Sequence, residues 1–470
     1  MSFKDVTSIQ QTQALTYSTM AFTVCFAVWT IFSIIGIKIK SDLNLNETEF
    51  GVLIATPILT GSLSRIFLGV WAEQYGGRLV FTVQMLVTSF AIFLLTKVAS
   101  YPMFLLAALG LGIAGGSFAV GIQYVSTWYP KQQQGTALGI FGMGNVGAAI
   151  TTFAAPFLLI AMDDQWQGVA NIYSIVLAGT ALLFFLFSKN DPYVQERHKK
   201  KLNVVPFLKQ LEPLKNLQVW RFSLYYFFVF GAFVALALWL PSFYIGAYNL
   251  NLQTAGLLTA SYALPGSVFR ALGGWCSDKY GARLVMYWTF IVSVICCFLL
   301  SYPSTDYIVK GIQGPIIFNI TIPLWGFVIT TIILGFFMSL GKAAIYKHIP
   351  VYYPKHVGSV GGTVGLIGGL GGFILPICFG LMNDLTGVWT SCFMLLTILV
   401  GVALVWMHFT ITLSLREKHP ELTGPKFLPE LENLKSEKKF FDEDHLLNQL
   451  RTKITIKQLS SLNKSKKRSN

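Results

Sequence analysis

The chain has 470 residues, of which 54% are hydrophobic and 12% charged, with a formal net charge of +14. A soluble protein carries about a quarter charged residues, so this composition, with a mean hydropathy of +0.59, excludes an ordinary water-soluble enzyme and requires that most of the surface meet lipid. The opening stretch MSFKDVTSIQ has no basic segment leading into a short apolar run, so no cleaved signal peptide is expected.

About 20 apolar residues cross a hydrocarbon core. On that rule the chain predicts twelve spans, at 15–37, 49–72, 79–97, 101–128, 134–161, 168–188, 219–246, 252–276, 283–302, 319–346, 357–382 and 386–412. They divide it into an N-terminal six-helix bundle (1–188), a polar linker (189–218) with the run Arg197-His198-Lys199-Lys200-Lys201, a C-terminal six-helix bundle (219–412) and a basic tail (413–470). With both termini in the cytoplasm, only Lys38, Lys40, Lys97 and Lys310 fall in outer loops, and the other Lys and Arg outside the spans are internal. This is the positive-inside pattern, and it makes the net charge a sign of topology rather than of nucleic-acid binding. The expected place is therefore the cytoplasmic (plasma or inner) membrane.

The two halves repeat each other. Arg65-Ile-Phe-Leu-Gly69-Val-Trp-Ala-Glu73-Gln-Tyr-Gly-Gly-Arg78 returns as Arg270-Ala-Leu-Gly-Gly274-Trp-Cys-Ser-Asp278-Lys-Tyr-Gly-Ala-Arg283. A second echo links Tyr129-Pro130-Lys131 with Tyr353-Pro354-Lys355. Internal repeats of this kind belong to secondary transporters, whose substrate site lies at the repeat interface near the bilayer midplane. The loop phrase G-x-x-x-[DE]-x-x-G-x-R, present after the second and eighth spans, resembles the hallmark loop of the major facilitator superfamily. That resemblance implies an all-α fold of two pseudo-symmetric six-helix bundles that work by alternating access.

Charges inside the membrane narrow the function. Every Asp and Glu lies in a loop, at a span end or in the tail, whereas Arg65, Arg270 and Lys342 lie within spans. Arg65 precedes Glu73 by eight residues, roughly 12 Å of helix, which is close to the middle of a ~30 Å core; the repeat puts Arg270 at the same depth. An arginine there costs at least about 2.5–3.5 kcal/mol on insertion scales. One guanidinium can be satisfied by backbone carbonyls; two, one per half, suit a small oxoanion gripped from both sides by planar forks that keep their charge. The repeat also sets Lys342 at the depth of Phe118, because each lies twelve residues before the repeated proline. Lys342 either snorkels to the interface or adds a third, titratable cation.

Two spans are dense in glycine. The fifth reads Gly142-Met-Gly144-Asn145-Val-Gly147, and the eleventh carries Gly365, Gly368, Gly369, Gly371 and Gly372. Small residues let helices approach closely, and such smooth faces also allow helices to slide and bring backbone near a substrate. With an arginine in each of the second and eighth spans, these phrases resemble the nitrate/nitrite porter family, over nearly all of residues 15–412.

The resemblance implies that Arg65 and Arg270 hold nitrate or nitrite. Asn145 would add a hydrogen bond, Tyr226 would match the family's seventh-helix tyrosine, and Phe26, Phe118 and Phe230 would wall the site. The chain departs from the pattern at Gly371, where the fifth helix has Asn145, and in the Gly341-Lys-Ala-Ala-Ile stretch, where an aromatic is expected on the tenth helix. The family contains proton-linked importers and nitrate/nitrite exchangers. The stretch around Lys342 and the short loop before the eleventh helix are similar to the proton-linked subgroup, with Lys342, Tyr226 or His348 as the titrating group. Open at this point are exchange, a porter for another small anion such as formate or oxalate, and a transporter-like anion sensor. No cofactor, metal or enzymatic constellation is expected, and the expected partners are the anion, protons and lipid around a monomer.

Overall fold

The computed structural model describes residues 7–190, 212–353 and 357–418. The basic run of the linker and nearly all of the tail lie outside these. The chain divides into a body of residues 1–405 and a second unit, 406–470; the second is described only as helix, to Lys418.

Among the described residues, eleven helices are long and apolar enough to cross a membrane. In chain order they are α1 (Ser8–Leu43), α2 (Glu47–Tyr75), α3 (Gly77–Leu95), α4 (Tyr101–Trp128), α5 (Thr136–Ala161), α6 (Trp166–Phe187), α7 (Leu217–Tyr248), α9 (Ala282–Leu300), α10 (Leu324–Ile349), α11 (Val360–Thr386) and α12 (Ser391–Leu413). The span expected at 252–276 is α8, in two pieces: α8a (Leu252–Val268) and α8b (Arg270–Tyr280). The pieces meet at Phe269, after Pro265 and directly before the buried Arg270. A proline and a charge interrupt what would otherwise be the twelfth long apolar helix. Large apolar side chains such as Ile175, Leu183, Phe298 and Ile398 stand exposed on the outer helix faces, as lipid-facing residues do.

Local chemistry sets the ends. Asn46 caps α2 in a reciprocal box with Glu49, and Asn251 caps α8a through the Thr254 N–H, so the repeat extends to the caps. The repeated loop phrase owes its glycine to backbone conformation. Gly76 and Gly281 turn the chain at φ of 90° and 86°, a region costly for any residue with a Cβ. A β-hairpin of β1 (Thr305–Gly311) and β2 (Gly314–Ile320) occupies what the sequence reads as an outer loop and the start of the tenth span. α10 therefore begins at Leu324 instead of 319, because Pro323 stands as its cap.

At the end of the molecule that carries the α1–α2 turn, the halves meet backbone to backbone. A Cβ at Gly51 would lie 2.5 Å from the Pro376 carbonyl oxygen. Gly380 packs on the backbone of Glu47 and Gly256 on that of Thr152. Asp384, at the end of α11, accepts the free N–H groups of Glu47 at 3.1 Å and Thr48 at 2.8 Å, together with the Thr48 hydroxyl. Toward the other end Gly139, Gly274 and Gly362 face open space.

Charged acceptors on a helix N-terminus clamp such a contact. Asp384→Ala is expected to speed hydrogen exchange of the Glu47 and Thr48 amides by roughly tenfold or more, since each loses its charge-assisted bond. Unchanged exchange, read by mass spectrometry in micelles, would show that the carboxylate holds nothing.

Candidate functional site

Among the described residues α1 breaks at Thr30–Ile31, and four further helices leave regular α geometry within the body of the membrane. α4 tightens to a 3₁₀ turn at Ile113–Gly116, α5 does so at Met143–Val146, α7 widens to a π segment at Phe227–Ala232, and α8 breaks at Phe269. Such segments recur at functional sites, and here each of the four carries or adjoins a residue singled out by the sequence: Phe118, Asn145, Phe230 and Arg270.

Arg65 and Arg270 are each 6% exposed and turn to the interior. The Arg65 guanidinium lies over the rings of Trp29 at 5.7 Å, Phe118 at 5.4 Å and Phe230 at 5.2 Å. Its Nη1 donates to the Gly365 carbonyl at 2.9 Å, across to the other half, and its Nε to the Gly115 carbonyl at 3.4 Å. Arg270 lies 5.5 Å over Phe118 and 5.8 Å over Tyr346. Its Nη1 is buried without a partner. The two arginines therefore share the Phe118 ring and differ in their bonding: backbone oxygens engage Arg65, and Arg270 keeps free donors.

Glycine makes this approach possible. A Cβ at Gly142 would stand 3.1 Å from Cδ and Nε of Arg270, and one at Gly369 would lie 3.3 Å from Nη1 of Arg65 and 2.5 Å from the Ser62 hydroxyl. Gly144 lies against Phe22, Gly147 against the α1 backbone, Gly368 against Tyr226, Gly371 against Gly231 and Gly372 against Ile58.

Asn145 is fully buried, and both polar atoms of its amide lack partners, one turn beyond the glycine that faces Arg270. Buried polar groups are nearly always satisfied, and this amide, like Nη1 of Arg270, departs from that rule. Tyr226 stacks on Phe230 at 5.1 Å and meets Tyr346 edge to face at 5.2 Å.

Lys342 is fully buried rather than snorkelling. Its Nζ donates to the Gly266 carbonyl at 2.8 Å and lies 3.1 Å from the Phe233 ring centroid and 6.0 Å from that of Phe230. The Phe230 ring is thus a neighbour of both Arg65 and Lys342. Among the described residues no carboxylate pairs with any of the three cations; the ion pairs there are the half-buried Lys40–Glu47 and the exposed Lys215–Glu212 and Lys347–Asp278.

Two sequence candidates stand apart. Phe26 packs edge-on against Phe22 and Trp29, one ring removed from Arg65. His348 stacks on Phe222 at 5.7 Å, toward the end of α10. Sequence reasoning missed two aromatics on the guanidinium groups, Trp29 and Tyr346. The tenth helix does supply an aromatic: Tyr346 sits four residues after Lys342, on the same helix face, just beyond the stretch read for it.

Twelve membrane helices in repeated halves, with a buried arginine from each half over shared aromatic rings, define a secondary transporter of the major facilitator kind. The family model for the Major Facilitator Superfamily matches residues 17–322 and 245–457. Among solved structures, a bacterial homologue of the human lysosomal transporter Spinster, in an inward-facing and occupied conformation, aligns with a TM-score of 0.62 at 15% identity, over 86% of this chain and 97% of that one. A point mutant of the nucleoside transporter NupG aligns with a TM-score of 0.63 at 12% identity, over 84% and 99%.

The chain is also 39% identical to the "Probable nitrate/nitrite antiporter NarK1" of Thermus thermophilus, over 87% of this chain and 94% of that protein. It is 31% identical to the "Nitrite extrusion protein" of Bacillus subtilis (strain 168), over 84% and 94%. It is 32% identical to the "Probable nitrate transporter NarT" of Staphylococcus epidermidis, over 86% and 97%. The chain belongs to the nitrate/nitrite porter family of the major facilitator superfamily.

Proposed function

We propose that this protein carries nitrate or nitrite across the cytoplasmic membrane by alternating access, with both termini inside and the anion held between Arg65 and Arg270. The observation that carries the reading is the buried, unpartnered Nη1 of Arg270, whose guanidinium shares the Phe118 ring with Arg65. Buried charges need a counter-charge, and among the described residues none is paired with this arginine. A planar monovalent oxoanion supplies the charge and accepts both forks, while Asn145 adds a donor. Tyr226, Phe230, Tyr346 and Phe118 bound the chamber, and Phe26 backs it one ring away.

The glycine faces of α5 and α11 let the halves rock about the anion. The clamp at Asp384 and the open glycines at the other end support an inward-facing state. Uptake is linked to protons through Lys342, since a lysine can release its proton in a buried site and an arginine cannot; the distance of His348 from the chamber favours Lys342 over it. The direct test is entry of labelled nitrate into proteoliposomes, with unlabelled nitrite, formate and oxalate as competitors. Competition by nitrite alone is the expected result, and stronger competition by formate or oxalate would sink the substrate assignment.

A further inference from the structure

A second arginine cluster lies at the end of the C-terminal half that the basic loops place in the cytoplasm. Arg221, in the second turn of α7, is 6% exposed. Its Nε is buried and without a partner, as are the hydroxyls of Tyr225 and Tyr353. Arg221 is a charge neighbour of both phenols and of His348. Burial raises the pKa of Tyr353, and Arg221 acts in the opposite direction, so at neutral pH its hydroxyl remains a donor.

The walls are aromatic. The Arg221 guanidinium lies 5.2 Å over Phe222, on which His348 stacks and against which Tyr352 stands edge-on at 5.5 Å. The exposed Arg283 donates from Nη2 to the Tyr352 hydroxyl at 3.2 Å, which puts a further positive charge at the solvent edge. The nearby acid Asp278 is already paired with Lys347, and among the described residues no carboxylate engages Arg221.

Three buried polar groups able to donate, gathered with no acceptor, are unusual, because interiors satisfy almost all such atoms. An unpartnered nitrogen on a buried guanidinium is costlier still. What the set lacks is a small ligand with negative charge and several acceptor oxygens. It is also separate from the central chamber. Arg221 precedes Tyr226 by five residues, roughly 7.5 Å along the helix and about 140° around it, so it faces away from the side of Tyr226.

We propose that Arg221, Tyr225 and Tyr353 form a second binding site for a small oxoanion at the inner end of the C-terminal half, with Arg283 at its rim. Its occupancy holds together the ends of α7 and α10 next to the α8–α9 turn, and so reports the internal anion concentration to the half that carries Arg270. The same chemistry would accept the transported anion or inorganic phosphate.

The test uses full-length protein in detergent, in a buffer with a bulky organic anion, and measures nitrate and phosphate binding separately by calorimetry. Arg270→Ala silences the central chamber. In that background one anion should still bind, and adding Arg221→Met should weaken it at least tenfold, while Tyr353→Phe should weaken it several-fold. Without added anion, Arg221→Met should unfold at the same or a higher temperature, because an unpaired buried charge has been removed. Tighter binding of nitrate would name the substrate as the occupant; tighter binding of phosphate would name an internal effector.

Equal binding with and without Arg221 would overturn the proposal. So would a marked drop in the anion-free melting temperature of Arg221→Met together with unchanged binding in Tyr353→Phe, which would make the arginine purely structural. If Arg270→Ala leaves the binding of wild-type protein untouched, the central assignment fails instead, and the two failures are distinct.

Discussion

Arg270→Ala should reduce nitrate entry into proteoliposomes to background while leaving the protein folded. In this structure Arg65 already gives two N–H groups to carbonyl oxygens, so the donors free to meet an anion come mainly from Arg270. Truncating one partner of a buried, hydrogen-bonded charge pair costs about 2–5 kcal/mol, roughly 30-fold to several-thousand-fold in affinity. Arg270→Lys should recover little, since a point charge on a flexible stem does not reproduce a planar fork, and a loss of at least tenfold is expected. Anion-free thermal stability should not fall, because the side chain removed is an unpaired buried charge. Transport by Arg270→Ala at wild-type rates would remove the basis for placing the anion there.

Lys342→Met should separate transport from its dependence on protons. Methionine keeps much of the volume and loses the charge, so packing against Phe230 and Phe233 is largely retained. Entry with equal pH on the two sides should persist. The several-fold stimulation expected from external acid should disappear, so that rates with and without the gradient converge. The sign follows from the proposed role: external acid loads a proton onto the amine and internal alkalinity removes it. A Lys342→Met protein that still responds fully to the gradient would send the coupling elsewhere. Complete loss of transport at every pH would make Lys342 part of the anion grip.

Much of this was legible in the sequence. Spans, repeat and the two arginines follow from hydropathy and from one phrase written twice, because membrane crossing leaves a long and uniform signal. The break in α8 was less visible. A window over 252–276 averages across Pro265 and Arg270, and only coordinates show that the helix stops and restarts beside the charge. The β1–β2 hairpin was missed because the stretch between the ninth and tenth spans was read only as an outer loop, and just the last two residues of its second strand, Asn319 and Ile320, entered the tenth span.

Tyr346 was overlooked for a different reason. The depth equivalence rested on residues twelve before the repeated proline, which selects Lys342, whereas α10 places the ring one turn later against Arg270. The orphan state of Asn145 and Arg221 has no sequence signature, because it depends on which partners fail to arrive from other helices.

The bond from Arg65 to the Gly365 carbonyl ties α2 to α11 across the two halves. On the proposed reading, an oxoanion that drew this Nη1 away would also unfasten a strap between the halves. The empty carrier would keep the strap and resist reorientation, so cycling without cargo would be discouraged.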